Sequence, residues 1–339
     1  MGAPLGAVVV DKERCLQLAR HLATLDMPAD AEEPAESAPL PPDVLANMYW
    51  AAVAICHQTS PKAGPALKGR VSGRDLRGWD YLRETFMVAA GRDPEIVFPP
   101  RLSVITPQGI DRIIQIADAP VVLNDLEGRA RLLRDLGHRM TVLGYESVQR
   151  LHDRAGGKLL QEKGEGLLQL LGSFEAYRDP VRKKSLYFLA LMKNTGVWDY
   201  RDPGNLGPPV DYHEVRGHLR CATVVIRDRA LAVAVEKEAV VSDDTDIAIR
   251  QAVYDAIVLI ARESGLTPSQ LHYFFWNLFR SCCPRGETHC YACPPTCGLP
   301  ERYKRLTVHS GRMCAVASYC ASRGQATKVL EHTAITDFY

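Results

Sequence analysis

Apolar residues recur at intervals of three and four along most of this sequence, and this helical periodicity is the feature that most limits its fold. The segments with this spacing include PPDVLANMYWAAVAICHQ, LNDLEGRARLLRDLGHRM, DTDIAIRQAVYDAIVLIARESG and TPSQLHYFFWNLFRSC. Several of them start after Pro, Asp or Thr, as helix N-termini do. Strand signals are few, and the run at 221–241 suits one or two short strands or a buried helix. The sequence therefore predicts a mostly α fold.

An acidic, proline-rich stretch interrupts the helical pattern near the N-terminus. Residues 11–26 have helical spacing, and the following DAEEPAESAPLPPD, at 30–43, contains no aromatic residue. This composition is typical of a linker. We therefore predict an N-terminal helical segment at 1–29, a linker at 30–43, a helical domain at 44–280 and a C-terminal extension at 281–339.

The charge of the chain argues against a protein built to bind long duplex DNA. The formal net charge is +1, so no global field attracts a polyanion. No apolar run approaches the roughly 18 residues of a membrane span, and no charged segment followed by an apolar one marks a secretory signal. We expect a cytoplasmic protein without a membrane partner that acts on a small or local substrate.

A loop with five of the ten cysteines follows the last strongly periodic segment, in RSCCPRGETHCYACPPTCGLP. Its spacing is Cys283-x6-Cys290-x2-Cys293-x3-Cys297, with Cys282 as an alternative first ligand. In a reducing cytosol, clustered cysteines are more often metal ligands or redox groups than disulfides. Prolines and glycines keep the loop from becoming a helix, so the thiolates can converge. A compact loop of this kind suits a [4Fe–4S] cluster, and zinc or no metal are the alternatives.

This cysteine spacing is similar to that of the iron–sulfur loop near the C-terminus of the endonuclease III branch of helix-hairpin-helix DNA glycosylases. The last interval is shorter here than in that branch. In those glycosylases the cluster is not the hydrolytic catalyst. The resemblance therefore implies a cluster that braces a loop.

Several longer stretches point to a second resemblance. They are LRGWDYL (76–82), ITPQGIDRIIQIADAPVVLNDLEGRARLLRDLG (105–137), FEAYRDPVRKKSLYF (174–188), WDYRDPGNLGPPVDYHEVRGHL (198–219), DIAIR (246–250) and YFFW (273–276). In this order they resemble the queuosine salvage proteins, mostly helical N-glycosidases of the helix-hairpin-helix glycosylase type that release queuine from its nucleotide. The resemblance implies the same fold and the same class of reaction. Typical salvage enzymes have no cysteine loop, so the chain resembles a divergent, cluster-bearing relative.

Four acidic residues lie within WDYRDPGNLGPPVDYHEVRGH, namely Asp199, Asp202, Asp211 and Glu214. Cleavage of an N-glycosidic bond builds positive charge on the sugar and needs an activated water. One carboxylate can stabilise that charge while another accepts the water proton. By position alone, Asp211 is better explained as the N-cap of the next helix. The family resemblance implies instead that Asp199 and Asp211 are the catalytic pair.

The chemistry of a 7-deaza base indicates what its pocket needs. Because position 7 is carbon and cannot be protonated, hydrogen bonds to the base edge must help its departure, between aromatic walls. The candidates for stacking, each also explicable as a core residue, are Trp79, Tyr187, Trp198 and Tyr212. Asp80 is the candidate for the base edge. Asp246 matches a family glutamate and is expected either to contact substrate or to pair with Arg250 one turn later.

Three classes of function follow from these features. We expect first an N-glycosidase for a small nucleoside or nucleotide of the queuosine type. The second is a DNA or RNA base glycosylase with a [4Fe–4S] cluster, which the cysteine loop favours and the near-neutral charge disfavours. The third is a non-enzymatic module, with a metal or a cluster, for nucleic-acid binding or redox sensing. If nucleic acid binds, the basic loop at 57–74 is the expected contact.

Overall fold

The computed structural model describes residues 6–28, 40–62, 64–116, 120–286, 288–294, 297–309, 313–325 and 329–339. The α-helices of this part are α1 (Lys12–Leu22), α2 (Pro42–Ala54), α3 (Trp79–Arg92), α4 (Pro99–Leu102), α5 (Pro107–Ile114), α6 (Leu126–Val142), α7 (Gln149–Ala155), α8 (Leu167–Leu171), α9 (Lys183–Asn194), α10 (Tyr212–Cys221), α11 (Arg229–Glu236), α12 (Asp243–Ser264), α13 (Pro268–Ser281) and α14 (Glu301–His309). The strands are β1 (Val8–Val10), β2 (Lys68–Val71), β3 (Arg74–Arg77) and β4 (Val224–Ile226). The prediction of a mostly α fold with a few short strands is confirmed.

The chain forms two compact units. The terminal unit comprises residues 1–32 and 207–336, and the central unit comprises 33–206 with 337–339. In the terminal unit β1 pairs antiparallel with β4. In the central unit β2 and β3 form a hairpin that starts in the predicted basic loop and ends just beyond it. The run at 221–241 contains both a strand, β4, and a helix, α11. The predicted linker lies mostly outside the described residues, and α2 begins near its end.

Helix α12 is central to the core of the terminal unit. Its residues Ile249, Val253, Ile257 and Ile260 recur at intervals of three and four and are fully buried. Helices α1, α10 and α13 pack against it. Ser242 caps the start of α12, and Gly265, at φ 74°, ends it in the left-handed conformation that glycine adopts without strain. Among the described helices, none has the length and apolar character needed to cross a bilayer.

Helices α10 and α13 approach each other at a glycine. A Cβ atom on Gly217 would lie 2.1 Å from ring atoms of Phe279, so a larger residue does not fit here without a shift. The contact fixes α10 against α13. It thereby places Asp211, at the start of α10, beside Trp276 of α13.

The central unit is built around α2, which is buried on nearly all sides. Helices α3, α6 and α9 pack against it. The hydroxyl of Tyr177 donates a hydrogen bond to the carbonyl of Trp50 at 2.5 Å. Arg129 of α6 donates to the carbonyls of Ile55 and His57, just beyond the end of α2. A cation at this position suits the partial negative charge of a helix C-terminus.

Candidate functional site

The carboxylate of Asp211, at the start of α10, accepts hydrogen bonds from three N–H donors. Its Oδ1 accepts from the backbone N–H groups of His213 at 2.8 Å and Glu214 at 3.2 Å. Its Oδ2 accepts from the indole Nε1 of Trp276 at 2.9 Å. Only 8% of the residue is exposed. Asp211 is thus the N-cap of α10, and the same contacts orient its carboxylate at the positive end of the helix dipole.

Glu214 supports Asp211 from inside the terminal unit. Its Oε2 accepts from the backbone N–H of Asp211 at 3.2 Å, and its Oε1 lies 3.0 Å from Nδ1 of His272. Burial raises the pKa of the Glu214 carboxyl, and the interaction with His272 acts in the opposite direction. Glu214 is fully buried, so its contacts are those of a structural residue.

Two half-buried aromatic rings, those of Tyr212 and Trp276, lie next to Asp211, and each has a guanidinium group near it. The Arg285 guanidinium lies 5.1 Å from the ring centroid of Tyr212, and that of Arg280 lies 4.6 Å from the ring of Trp276. Burial raises the pKa of Tyr212 to about 12, so its hydroxyl stays protonated at neutral pH. This part of the terminal unit, Asp211 with Tyr212, Trp276, Arg280 and Arg285, is called the Asp211 site below.

A buried ion-pair network lies behind the Asp211 site. Glu331 accepts hydrogen bonds from Arg216, at 2.9 Å, and from Arg285. Burial opposes ionisation of Glu331, but the two guanidinium groups hold its pKa below the usual value. Arg216 also donates to the carbonyl of Cys283 at 3.0 Å. The network therefore connects the Asp211 site to the cysteine loop.

Asp246 and Arg250 form an ion pair, which is one of the two roles expected for them from the sequence. Nε and Nη2 of Arg250 donate to Oδ2 of Asp246 at 3.0 and 2.8 Å. The other oxygen, Oδ1, lies 2.7 Å from Nε2 of His332. Burial opposes ionisation, but His332 and Arg250 lower the pKa of Asp246 to about 2. All three side chains are buried, and both oxygens of Asp246 are occupied by protein partners.

Asp199 belongs to the central unit and is exposed. It lines an open depression of about 360 Å³ together with His152, Asp153, Gly156, Gly157, Tyr200 and Arg201. Nε2 of His152 lies 3.1 Å from the Asp199 carbonyl oxygen. Nearby Asp202 accepts from the backbone N–H groups of Leu159 and Leu160, as a structural loop residue does. Asp199 therefore borders open space, and the His152 imidazole contacts its backbone carbonyl.

Three of the predicted stacking residues lie in the central unit. The rings of Trp79 and Tyr187 pack edge to face, with centroids 5.2 Å apart, and both are largely buried. Asp80, the next residue of α3, is half-buried. Trp198 is only 2% exposed, its ring stacks on His152, and its Nε1 donates to Gln149 at 2.6 Å. Trp198 is a core residue in this structure, whereas the fourth stacking candidate, Tyr212, is half-buried in the Asp211 site.

The cysteine loop contains a group of three neighbouring thiols. Burial raises the pKa of the Cys293 thiol, which interacts with the hydroxyl of Thr307 and with the thiols of Cys297 and Cys282. Burial also raises the pKa of Cys282, and the thiols of Cys314, Cys297 and Cys293 raise it further. Of the two candidate first ligands, it is thus Cys282 that lies with Cys293 and Cys297. Residues 287, 295 and 296 of the loop are outside the described residues.

Cys283 lies in a different environment from Cys282. Its thiol accepts a hydrogen bond from Nη1 of Arg220 at 3.0 Å. Within the described ranges, no three Cys, His, Asp or Glu side chains surround one point as ligands of a metal ion would. The chemistry of the thiols nevertheless fits the predicted group, since thiolates are the ligands that select zinc and iron–sulfur clusters. Cys290 is buried and its carbonyl accepts from the backbone N–H of Cys314 at 3.3 Å.

Trp276, His272 and Arg285 were not predicted from the sequence. For Trp276 a signal was present, because it lies off the apolar stripe formed by Leu271, Phe275 and Leu278. An aromatic residue off such a stripe is expected at the surface, where it can meet a ligand. For Arg285, in an irregular loop, no sequence pattern indicates the contact with Tyr212.

Comparison of the chain with protein-family models gave no match, and comparison with curated proteins gave none either.

Proposed function

We propose that the protein is a cytoplasmic N-glycosidase that hydrolyses the base–sugar bond of a modified purine-type nucleoside or nucleotide, with a queuosine-like 7-deazaguanine as the base. The observation that carries this proposal is the Asp211 site. It combines a carboxylate oriented by three N–H donors with half-buried aromatic rings and two guanidinium groups. These are the chemical groups that a glycosidase needs for a sugar cation, a planar base and a phosphate.

In the proposed reaction the bond between the sugar C1′ and the base nitrogen breaks, and its electron pair leaves with the base. Positive charge then develops on the sugar, and the carboxylate of Asp211 stabilises it. The N–H donors already orient this carboxylate, so little reorganisation is needed during the reaction. A water adds to C1′ and gives a proton to a carboxylate, while the base nitrogen takes up a proton. The products are the free base and the sugar or sugar phosphate.

A catalytic role for Asp199, in the central unit, stays a prediction from the family resemblance. This role rests on the family resemblance and on the open depression that Asp199 borders. Exposure to solvent lets a water reach the side chain. The role of Asp199 is separate from that of Asp211 and is tested by its own Asp199→Asn variant.

The position of Tyr212 in the Asp211 site supports its predicted role as an aromatic contact for the substrate. We add Trp276 as a second aromatic contact. Arg280 and Arg285 supply positive charge for a phosphate. Contacts from Trp79, Asp80, Tyr187 and Trp198 stay predictions from the resemblance. Arg250 donates two hydrogen bonds to Asp246, which favours a structural role for this pair over a substrate contact.

We further propose that the cysteine loop holds a [4Fe–4S] cluster, with zinc as the alternative. The ligands would be Cys290, Cys293 and Cys297 with either Cys282 or Cys283, and the contacts of Cys282 favour it as the first ligand. Bound, the group would cross-link a loop whose described residues form no helix or strand. No step of the hydrolysis uses it.

The test is to incubate the purified protein with queuosine, with its 5′-monophosphate, and with RNA and duplex DNA that carry the modified base. Free base is measured by mass spectrometry, and Asp211→Asn protein serves as the control. We expect release from the nucleoside or nucleotide by the wild type alone. Release from nucleic acid only would favour the base-glycosylase alternative. If no substrate yields free base, and the wild type and Asp211→Asn bind the substrates equally, the non-enzymatic alternative is favoured.

A further inference from the structure

A cysteine just beyond the end of α2 lies against the first lysine of α9. Nζ of Lys183 is 3.4 Å from Sγ of Cys56, within hydrogen-bonding range of a sulfur acceptor. The two residues are 127 positions apart in the sequence, and both belong to the central unit. Cys56 is 7% exposed and Lys183 is half-buried, so the pair lies at the edge of the core rather than deep within it.

Two further cations are buried around Cys56. Nζ of Lys184 donates to the last carbonyl of α2 at 2.5 Å and lies 3.4 Å from Nδ1 of His57. Arg129 donates to the carbonyls of Ile55 and His57, the neighbours of Cys56 in the chain. Within the described part of the chain, no hydrogen bond of these two cations goes to a carboxylate. A buried cation is costly without a negative charge nearby, and a thiolate at Cys56 would supply one.

Both buried cations interact electrostatically with this thiol. Burial lowers the pKa of Lys184 to about 8 and that of Arg129 to about 10, and Cys56 acts in the opposite direction on each. Cys15 is a contrasting thiol, because it contacts a backbone carbonyl at 3.8 Å and burial raises its pKa to about 12. Cations beside a cysteine favour its thiolate, which is the form that reacts with oxidants, whereas a thiol in apolar surroundings is inert.

We propose that Cys56 and Lys183 form a modification site for peroxides, at which oxidation joins Sγ of the cysteine to Nζ of the lysine. In the first step the Cys56 thiolate attacks hydrogen peroxide. One peroxide oxygen is transferred to Sγ, and the other leaves as water. Sulfur thereby loses two electrons, the peroxide gains them, and the product is a sulfenic acid.

The lysine amine then captures this sulfenic acid, as sulfenic acids react with neighbouring thiols or nitrogen atoms. Nζ of Lys183 releases its ammonium proton to solvent and attacks Sγ. The Sγ–O bond breaks, an Sγ–Nζ bond forms, and the departing hydroxide takes a second proton from the nitrogen and leaves as water. Sulfur keeps its oxidation state in this step, so one peroxide is sufficient. Added thiols reverse the link by attacking the sulfur.

The link would change the charge of the central unit as well as its connectivity. The Lys183 ammonium lies 5.2 Å from the ring centroid of Tyr187, one turn later on α9. A nitrogen bonded to sulfur is not protonated at neutral pH, so this cation–π contact is lost. At the same time α9 becomes covalently tied to the end of α2. No step of the proposed hydrolysis is needed for this chemistry.

The first experiment uses the whole chain, purified under reduction and then freed of reductant without oxygen. The protein is treated with hydrogen peroxide, digested without reduction and analysed by mass spectrometry. We expect a cross-linked peptide pair with Cys56 and Lys183 that is lighter by two hydrogen atoms than the separate peptides and that dithiothreitol separates. Cys15 is the internal control, and Cys56 should be oxidised at least about tenfold faster. Absence of the cross-linked pair would overturn the proposal.

Two variants separate the amine of Lys183 from its charge. Lys183→Arg keeps a cation but has no amine, so we expect no cross-link and instead a sulfenic acid at Cys56 that dimedone labels. Lys193→Arg, at a half-buried lysine of the same helix, should form the wild-type cross-link. If dimedone labels Cys56 as strongly in the wild type as in Lys183→Arg, the lysine does not capture the sulfenic acid and the proposal is wrong.

Discussion

The indole Nε1 of Trp276 donates a hydrogen bond of 2.9 Å to Oδ2 of Asp211. The other oxygen of the same carboxylate caps α10. One side chain thus has a structural role and a proposed chemical role, and substitutions can separate the two.

Asp211→Asn is expected to keep the fold and lose the reaction. Asparagine caps helices about as well as aspartate, but its amide nitrogen cannot accept the hydrogen bond from Trp276, so the free energy of unfolding should fall by about 2 kcal/mol. The negative charge is lost, and base release should fall by about 10²- to 10³-fold. Urea unfolding and mass spectrometry of the released base measure the two effects. Undiminished release by this variant would rule out a catalytic role for the carboxylate.

Trp276→Phe removes the indole N–H but keeps an aromatic ring. A hydrogen bond to a charged group contributes about 2 kcal/mol, so we expect a loss of stability of that order. Base release should fall about tenfold, because the carboxylate is less firmly oriented. Combining this change with Asp211→Asn in a double-mutant cycle tests the contact directly. Additive effects of the two changes would show that the residues do not act together.

Gly217→Ala tests the close approach of α10 and α13. The added methyl group would collide with the ring of Phe279, so we expect a loss of about 2 kcal/mol in the free energy of unfolding. The matched control is Gly286→Ala in the same unit, where no atom lies within 4 Å of the new Cβ. Chemical denaturation of both variants is the measurement. Equal stability of the two would mean that the helices do not need this contact.

The pH dependence of stability should reveal the Asp246 ion pair. The pKa of the Asp246 carboxyl in the folded protein, about 2, lies below the ordinary value of 3.8. The ionised carboxylate therefore stabilises the fold above about pH 4. This contribution, about 2 kcal/mol, is lost as the pH falls from 4 to 2. The stability difference between wild type and Asp246→Asn should therefore shrink over that range. Asp255→Asn, at an exposed position on the same helix, is the control variant.

Cys282→Ser addresses the first ligand of the loop site. Because Cys282 interacts with Cys293 and Cys297, its replacement should remove as much metal as Cys293→Ser does. Elemental analysis measures this loss, and a lower thermal midpoint should accompany it. Cys56→Ser, in the central unit, is the control. Full metal content in Cys282→Ser would indicate that Cys283 is the first ligand instead.

The sequence predicted those features that depend on neighbouring residues. The helices follow from local periodicity, and the pair of Asp246 and Arg250 follows from their spacing of one helical turn. The contact of Asp211 with Trp276 joins residues 65 positions apart, and periodicity shows which face of a helix is buried but not what covers it. The arrangement of the terminal unit from two separate segments was beyond the sequence for the same reason.

The pairing of β1 with β4 also has a consequence for synthesis on the ribosome. The strand Val8–Val10 can pair only after Val224–Ile226 has been translated, more than 200 residues later. At ordinary rates of translation this interval is roughly 10 to 40 s. Throughout it, the first strand and the apolar face of α1 lack their native cover, so the nascent chain offers a binding site to chaperones well before the terminal unit can form.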